Sequence, residues 1–529
     1  MPTLFHELIL KSADCSANAV ALIDRQQKTD YASLASATCS FANALNLHTF
    51  SRGERLAVYL EKRAEAVIAM FGACAAGGVF VPINPLLKAE QVAYILQDCN
   101  VRVLVTSAQR FKLLAPALPS CHDLRMVIIV DDATRSSTPS GLEVIGWQQF
   151  LAASSGRDCY SRLTDSDMAA ILYTSGSTGR PKGVVLSHRN LVTGAKSVSQ
   201  YLDNHHEDRI LSVLPLSFDY GLNQLSTAFY VGATAVLMNY LLPRDILNII
   251  RQEKITGLAA VPPLWVQLAQ LDWQGVDSLR YATNSGGAMP QATLARLRSA
   301  LPATRIYLMY GLTEAFRSTF LPPDQLDKRP DSMGKAIPNV EVMVLREDGS
   351  HCAPGEPGEL VHRGPLVSMG YWNDPDKTAA CFRPIAPRQS GLTIPELAVW
   401  SGDTVRMDEE GFLYFIGRRD DMIKTSGYRV SSTEIEEVVY ATETVTEAAA
   451  FGVPHPALGQ AIVVVALPVA GLDAVEEKIL TACKQQLPAF MLPGLVELRQ
   501  ASLPRNPNGK IDRKALAAEF SHVFETTQP

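Results

Sequence analysis

The first four-fifths of this 529-residue chain alternates short apolar runs with helical segments. The helical segments include residues 64–76, 89–97 and 245–253. The runs are rich in aliphatic and β-branched residues and predict buried strands at residues 55–60, 79–83, 101–105, 126–130, 169–173 and 233–238. Strand-helix alternation is typical of parallel sheets that are covered by helices. The pattern therefore predicts a mixed α/β fold.

Composition excludes several classes of protein. Hydrophobic residues make up 47% and charged residues 19%, and the net charge is -6 without a polybasic run, so we expect a globular protein that binds no nucleic acid. The nine cysteines are scattered and never form a CxxC pair, which predicts neither a disulfide framework nor a zinc site and favours a cytoplasmic location. The apolar stretch 66–82 is short and broken by glycines, so no membrane span is predicted.

A charged break divides the chain after Gly417. The sequence RRDD occupies residues 418–421, and the segment that follows has a predicted helix at 432–440 and a predicted strand at 461–468. We therefore expect a large N-terminal domain at 1–417, a hinge at 418–421 and a small, mobile α+β domain at 422–529. Residues 132–141 and 384–395 are predicted loops.

The strongest chemical signal is the sequence YTSGSTGRPKG at residues 173–183, directly after a predicted strand. Glycines allow backbone N–H groups to approach an oxyanion, hydroxyls add donors, and Lys182 supplies a positive charge. The spacing differs from the NTPase P-loop, in which the lysine directly follows a glycine and precedes Ser or Thr. The segment indicates a phosphate-binding loop of another kind.

Five further segments follow in order: NSGGAM at 284–289, YGLTE at 310–314, SGD at 401–403, GRRDDMIKTSG at 417–427 and PRNPNGK at 504–510. With the loop at 173–183, they resemble the adenylate-forming superfamily of acyl-CoA synthetases, peptide-synthetase adenylation domains and luciferases. The resemblance covers essentially the whole chain and implies stacked α/β sheets in the large domain. A narrower resemblance is to AMP-forming acyl-CoA ligases associated with exosortase A systems.

The resemblance implies two half-reactions. A carboxylate attacks the α-phosphate of ATP to give an acyl-adenylate and pyrophosphate, and a phosphopantetheine thiol then displaces AMP. Mg²⁺ and ATP are the implied cofactors, with Glu314 as the Mg²⁺ ligand and Lys182, Thr313 and Lys510 as further catalytic residues. The implied nucleotide-binding residues are Thr174, Ser175, Gly176, Ser177, Thr178, Gly179, Gly286, Gly287, Ala288, Tyr310, Gly311, Asp403 and Arg418.

Each implied role has a chemical reason. Tyr310 would stack on adenine, Thr313 would contact the α-phosphate, and Asp403 would accept both ribose hydroxyls, with Arg418 as an added donor to the sugar. Lys510 would reach the carboxylate and the α-phosphate together. The small domain would then rotate about Asp420 and bring residues 424–428 over the thiol tunnel, where Gly427 leaves room for pantetheine.

The sequence LPLSFDYG at 214–221 lies where acyl-CoA synthetases often carry an aromatic gate, here Phe218. Asp219 follows the gate, as in enzymes that pair this carboxylate with a substrate ammonium. A buried carboxylate needs a cation, so Asp219 should pair either with the substrate or with Arg317. Further lining residues inferred for this pocket are Tyr220, Asn223, Ala260, Met309 and Ser318.

We therefore expect an AMP-forming acid-thiol ligase that activates a small carboxylic acid, an amino acid or another polar acid. The acceptor would be CoA or the phosphopantetheine of an acyl carrier protein. Two alternatives remain: a fatty-acyl or aryl-CoA synthetase, and a nucleotide-binding regulatory protein without catalysis. The presence of Lys182, Glu314, Asp403 and Lys510 argues against the regulatory alternative.

Overall fold

The computed structural model describes residues 1–131, 141–152, 154, 159, 162–174, 181–287, 289, 291–385, 395–418, 423–430, 432–504 and 511–524. The strands in these ranges are β1 (Val20–Asp24), β2 (Gln27–Asp30), β3 (Arg55–Tyr59), β4 (Val79–Pro82), β5 (Val101–Thr106), β6 (Met126–Ile129), β7 (Glu143–Gly146), β8 (Met168–Thr174), β9 (Lys182–Ser187), β10 (Arg209–Ser212), β11 (Thr234–Leu237), β12 (Gly257–Ala260), β13 (Tyr281–Asn284), β14 (Arg305–Tyr310), β15 (Thr319–Leu321), β16 (Ser332–Ala336), β17 (Glu341–Leu345), β18 (Gly358–Arg363), β19 (Phe382–Ile385), β20 (Glu396–Met407), β21 (Leu413–Arg418), β22 (Ile423–Thr425), β23 (Tyr428–Val430), β24 (Val445–His455), β25 (Gly459–Pro468) and β26 (Leu495–Leu498).

The helices in the same ranges are α1 (Glu7–Ser16), α2 (Tyr31–Leu47), α3 (Ala64–Ala75), α4 (Ala89–Asp98), α5 (Ala108–Leu114), α6 (Trp147–Ala152), α7 (His188–Leu202), α8 (Asp219–Val231), α9 (Pro243–Glu253), α10 (Pro262–Leu268), α11 (Gln291–Ala300), α12 (Pro375–Cys381), α13 (Ser432–Ala441), α14 (Val475–Gln486) and α15 (Arg513–Glu519). Short 3₁₀ turns lie at Leu118–Ser120, Thr313–Ala315, Pro323–Gln325 and Ala489–Met491.

A seven-stranded sheet contains most of the first strands of the chain, in the order β7-β6-β5-β3-β4-β8-β9. Its strands run parallel from β7 to β8 because helices such as α3 and α4 connect them over the faces of the sheet. The last pair, β8 and β9, is antiparallel, and Thr174 lies opposite Lys182 in this hairpin. The two ends of the predicted phosphate loop are thereby fixed side by side.

A larger sheet of 14 strands carries the middle of the chain. Its neighbours β10, β12, β13 and β14 run parallel, so the ends of the last three, at Ala260, Asn284 and Tyr310, meet at one edge. Ligands of parallel α/β sheets bind beyond the carboxyl ends of the strands. Strands β15 to β21 extend this sheet in antiparallel fashion and bring Asp403 of β20 opposite Arg418 of β21.

The chain after the predicted hinge forms a separate five-stranded sheet, in the order β23-β22-β25-β24 with β26 beside β25. Helices α13 and α14 pack on it around a core that includes Ile435, Val464 and Ile479. The prediction of a mixed α/β protein with a large N-terminal and a smaller C-terminal domain is confirmed. The boundaries at 417 and 422 stay a prediction, because residues 419–422 lie outside the described ranges.

Most predicted strands and helices of the first domain are present within one or two residues of their expected bounds. The predicted loop at 384–395 is wrong at its start, because Pro384 and Ile385 belong to β19 and pair with β20. Proline is tolerated there because β19 is an edge strand with a free N–H side. Most of the predicted loop at 132–141 lies outside the described residues. No helix in the described ranges is both long and apolar enough to cross a membrane.

One disulfide joins Cys39 and Cys159, whose Cα atoms lie 4.9 Å apart. The scattered cysteines predicted no disulfide framework, and this pair is an exception to that prediction. The two residues are 120 positions apart, so only the tertiary fold brings them together. The other seven cysteines are free thiols.

Candidate active site

A cavity of about 1760 Å³ lies beyond the carboxyl ends of β12, β13 and β14 and beneath the C-terminal sheet. Its walls bring together predicted site residues that are far apart in sequence: Thr174, Lys182, Phe218, Asp219, Gly286, Gly287, Met309, Tyr310, Gly311, Thr313, Glu314, Arg317 and Gly427. This cavity is the candidate active site.

The phosphate side of the cavity is built on the β8-β9 hairpin. Lys182 is 12% exposed, its Nζ lies 3.9 Å from Oδ2 of Asp374, and it sits 5.9 Å from the ring centroid of Tyr371. Burial and the nearby Lys377 lower the pKa of Lys182. The predicted phosphate-binding residues Ser175, Gly176, Ser177, Thr178 and Gly179 lie outside the described residues.

Glu314 lies in the 3₁₀ turn Thr313–Ala315, directly after β14. The hydroxyl of Tyr371 donates to its Oε1 at 2.7 Å, whereas Oε2 is buried and has no hydrogen-bond partner in the described part of the chain. Among the described residues, no group of three His, Cys, Asp or Glu is placed to hold a metal. Mg²⁺ commonly uses one or two carboxylates together with substrate phosphates, so a Glu314 carboxylate with one oxygen left for a ligand fits such an ion.

Tyr310 ends β14 and donates its hydroxyl to Oδ2 of Asp403, which is fully buried. One face of the Tyr310 ring stacks on His362, with centroids 6.2 Å apart and planes 15° from parallel. Burial lowers the pKa of His362 to about 4, so this ring is neutral at physiological pH. The backbone of Arg418 lies opposite Asp403, and its side chain lies outside the described structure.

The acyl side of the cavity carries two buried charges. Asp219 is the first residue of α8 and 4% exposed, and its Oδ1 accepts a hydrogen bond from the backbone N–H of Tyr220 at 2.8 Å. Arg317 is 3% exposed, and its Cζ lies 4.6 Å from the ring centroid of Tyr220. In the described part of the chain, no carboxylate oxygen lies within 4.0 Å of the Arg317 guanidinium. The alternative of an internal Asp219–Arg317 salt bridge is therefore wrong.

Four residues inferred to line the acyl pocket are packed in the interior instead. Tyr220, Asn223, Ala260 and Ser318 are at most 1% exposed and do not line the cavity in the described structure. Tyr220 and Ser318 are the sequence neighbours of the lining residues Asp219 and Arg317, but both are fully packed behind them in the described structure. Only Met309 of that inferred group lines it, and its sulfur accepts a hydrogen bond from Tyr201 at 3.0 Å.

The hairpin of the C-terminal domain that holds Gly427 covers the acyl side. A Cβ placed on Gly427 would lie 2.8 Å from Cγ1 of Val261, and one on Gly286 would lie 3.7 Å from the Gly427 carbonyl oxygen and 3.8 Å from Cζ of Phe218. Both glycines have positive φ, +81° and +84°, which disfavours any side chain. The hairpin is held by Tyr428, which stacks on Phe490 with ring centroids 3.8 Å apart.

Besides residues 175–179, the predicted site residues Ala288, Asp420 and Lys510 lie outside the described residues, so their predicted roles rest on the resemblance alone. Conversely, sequence reasoning missed Tyr371, His362 and Val261. Their contacts with Glu314, Tyr310 and Gly427 are made by tertiary packing, and none of the three stands in a recognisable motif.

The model of the AMP-binding enzyme family matches residues 10–372, and the model of the AMP-binding enzyme C-terminal domain matches residues 434–510. The chain is an AMP-binding enzyme. It belongs to the adenylate-forming superfamily, as the sequence motifs indicated, and to the AMP-forming ligases. The narrower resemblance to ligases of exosortase A systems stays a prediction.

Relatives of this AMP-binding enzyme act on different acids. It is 32% identical to an L-proline--[L-prolyl-carrier protein] ligase of Pseudomonas fluorescens, over 98% of this chain and 99% of that protein. It is 29% identical to a long-chain-fatty-acid--CoA ligase of Escherichia coli O157:H7, over 88% and 86% of the two chains. It is 28% identical to bacitracin synthase 3 of Bacillus licheniformis over 99% of its own length, which spans 8% of that protein.

Solved structures agree with the fold. A double mutant of o-succinylbenzoate CoA synthetase (MenE) from Bacillus subtilis, bound to its product analogue OSB-NCoA, matches with a TM-score of 0.82 and 25% identity over 96% of this chain and 97% of that one. A complex of VinN with L-aspartate matches with a TM-score of 0.66 and 30% identity over 78% of this chain and 98% of that one. The match to the first of these structures therefore extends over 96% of this chain.

Proposed function

We propose that this enzyme activates an α-amino acid with ATP and transfers the aminoacyl group to a phosphopantetheine thiol of a carrier protein or CoA. The observation that carries the proposal is the buried carboxylate of Asp219 in the wall of the acyl cavity, beside the aromatic residue Phe218. The relative that acts with L-proline and a carrier protein supports an amino acid as substrate.

The chemistry of Asp219 explains the preference. A carboxylate taken out of water loses several kcal/mol of hydration, and an opposite charge nearby offsets part of that loss. The N-terminus of α8 adds a favourable partial positive charge. A substrate ammonium in the same cavity would supply a full opposite charge, which Arg317 does not supply because no ion pair joins the two in the described structure.

In the proposed first half-reaction, the substrate carboxylate attacks the α-phosphate of ATP and pyrophosphate leaves. Lys182, with residues 174–179, would hold the β- and γ-phosphates, and Thr313 and Lys510 would stabilise charge at the reacting phosphate. Tyr310 would stack on adenine with the face that is not covered by His362, and Asp403 would bind the ribose beside Arg418. Mg²⁺, when bound through Glu314, would neutralise phosphate charge.

In the proposed second half-reaction, the small domain rotates about the hinge at 418–421, with Asp420 as the pivot, and residues 424–428 form part of the thiol path. The contact of Gly427 with Val261 and Gly286 supports this role, because it lays the hairpin directly on the acyl side of the cavity. We further propose that domains 1–417 and 422–529 are the moving units and that the reaction takes place in the cytoplasm.

ATP-pyrophosphate exchange with a panel of amino acids, each beside the same acid without its amine, tests the proposal. We expect the amino acids to be preferred. Asp219→Ala should lower the affinity for the amino acid by two to four decades relative to the affinity for the same acid without its amine. The reason is that breaking a buried charge pair costs about 3–5 kcal/mol. Asp277→Ala, at an exposed aspartate outside the cavity, is the matched control and should change the affinity for neither acid.

The second candidate is a fatty-acyl or aryl-CoA synthetase, which the E. coli relative and the aromatic gate Phe218 favour. It predicts that simple fatty or aryl acids outperform every amino acid and that Asp219→Ala leaves their exchange unchanged. That result would contradict an ammonium partner for Asp219.

A further inference from the structure

Arg317 is a buried cation that forms no ion pair in the described part of the chain. It is 3% exposed, and its Nε and Nη2 are buried atoms without a hydrogen-bond partner. Arginine is charged at every physiological pH, so burial does not neutralise it. The cost of such a burial is large unless an anion binds the guanidinium.

The fold holds Arg317 in this place. The preceding residue, Phe316, has a φ of +48° and is fully buried, and its ring packs against the backbone of Gly194, where an added Cβ would lie 2.5 Å away. Non-glycine residues rarely adopt this conformation, and it persists only where the surroundings enforce it. The guanidinium then lies over the face of Tyr220, whose hydroxyl shares a hydrogen bond with Thr283. The cation is thus fixed in the cavity wall.

Neighbouring groups indicate which part of a ligand it would meet. Tyr220 follows Asp219 on α8, so the ring under Arg317 and the proposed ammonium partner are consecutive residues. The Nη1 atom faces Gly311, where an added Cβ would lie 3.8 Å away, and both residues line the cavity. Hence the acyl side presents a negative and a positive group that do not pair with each other.

We propose that Arg317 binds a second carboxylate of the substrate, so that the enzyme activates an α-amino dicarboxylic acid. This inference rests on the proposed function, because it assigns the ammonium to Asp219 and the activated carboxylate to the adenylation site. A planar guanidinium matches a carboxylate in a bidentate manner, which a lysine at the same place would not do.

The test compares substrates that differ only in the second charge: L-aspartate with L-asparagine, and L-glutamate with L-glutamine, in ATP-pyrophosphate exchange. We expect the kcat/KM of one acidic amino acid to exceed that of its amide by about a hundredfold. An effect of this size is typical when one partner of a buried charge pair is removed. Arg317→Met should remove that preference, Arg317→Lys should restore only part of it, and the KM for ATP should not change.

Arg406→Met is the matched control, because Arg406 also stacks on a tyrosine, Tyr414, but is exposed and lies outside the cavity in the described structure. It should leave the preference intact. If Arg317→Met does not fold, the wild-type enzyme with L-aspartate β-methyl ester gives the same information, since the ester removes the charge from the substrate instead.

The outcomes separate the two proposals. Equal use of neutral and acidic amino acids would overturn the second-carboxylate site and leave the proposed function standing. Preference for dicarboxylic acids that lack the amine, lost in Arg317→Met, would support the site but contradict the role of Asp219. A uniform rise in the KM for ATP in Arg317→Met, with preference unchanged, would assign the guanidinium to the triphosphate and overturn the inference. Exchange with none of the acids would contradict both.

Discussion

The hydroxyl of Tyr371 holds one carboxylate oxygen of Glu314, Oε1, at 2.7 Å, while the other, Oε2, has no partner in the described structure. Tyr371 forms an isolated antiparallel bridge with Val184 of β9 in the seven-stranded sheet, whereas Glu314 follows β14 of the large sheet. The contact therefore ties the two sheets together at the place where we propose that Mg²⁺ binds.

Tyr371→Phe should raise the Mg²⁺ concentration needed for half-maximal ATP-pyrophosphate exchange by about 10- to 100-fold, because a hydrogen bond to a charged group contributes about 1.5–3 kcal/mol. The phenylalanine keeps the ring, so folding should be retained. Tyr414→Phe is the control, since Tyr414 donates to Asp408 at 3.0 Å and neither residue lines the cavity in the described structure. An equal Mg²⁺ shift in both variants would contradict a positioning role for Tyr371.

Lys510→Ala should slow adenylate formation by about 10²- to 10³-fold, the usual effect of removing one donor at a developing charge. Thioester formation from a supplied acyl-adenylate should be nearly unchanged, because the proposed rotation removes this lysine from the site before thiol transfer. Exchange and single-step thiol transfer are measured separately. Equal loss in both would argue against rotation of the small domain.

Gly427→Ala should impair thiol transfer and spare adenylation, because its methyl group would lie 2.8 Å from Val261 and the backbone has a φ of +81°. Gly471→Ala separates the two causes, since Gly471 has a φ of +83° with nothing within 4 Å. Val261→Ala combined with Gly427→Ala should recover part of the transfer rate. Transfer that is lost equally in Gly427→Ala and Gly471→Ala would trace the defect to backbone strain alone.

The protein should lose stability as pH falls from about 6.5 to 4. Burial lowers the pKa of His362 to about 4 in the folded state, below the ordinary value of 6.5, so the unfolded chain binds the proton first. The contribution of neutral His362 to the free energy of unfolding is fully present above pH 6.5. About 3 kcal/mol of it is lost at pH 4, taking 1.36 kcal/mol per pKa unit.

Denaturant unfolding of the wild type and of His362→Gln across this pH range checks the effect. The free energy of unfolding of the variant should decline less steeply as the pH falls. Part of the decline should remain, because burial also lowers the pKa of His6 to about 4. His122→Gln, at an exposed histidine, should follow the wild type. Identical slopes for the wild type and His362→Gln would contradict a contribution from this ring.

The nucleotide side of the cavity could be predicted from sequence because its residues stand in short motifs next to strand ends. Tyr310, Thr313 and Glu314 follow β14 within a few residues, and Lys182 closes a hairpin whose partner strand was predicted. A residue that lies within a few positions of a strand end has a known location once that strand is predicted. The mixed α/β fold could be predicted for the same reason.

The acyl side could not be predicted to the same depth. Whether Asp219 pairs with Arg317 depends on how α8 packs against the turn that follows β14, which no local motif determines. The sequence predicts that both residues line the pocket, but it does not predict the distance between them. The prediction that their neighbours Tyr220 and Ser318 line the pocket is wrong. The partnership of Cys39 with Cys159 depended on the fold in the same way.

Val261 lies directly after β12, and its side chain packs against Gly427 of the C-terminal hairpin and against Gly286 of the cavity wall, so one side chain contacts two surfaces that serve different steps. A library that varies position 261 to alter acid selectivity would change the seating of the hairpin at the same time. Selectivity screens scored only by pyrophosphate release would then select variants that form the adenylate but transfer its acyl group to the thiol poorly. Directed evolution of this wall needs the thioester product as its readout.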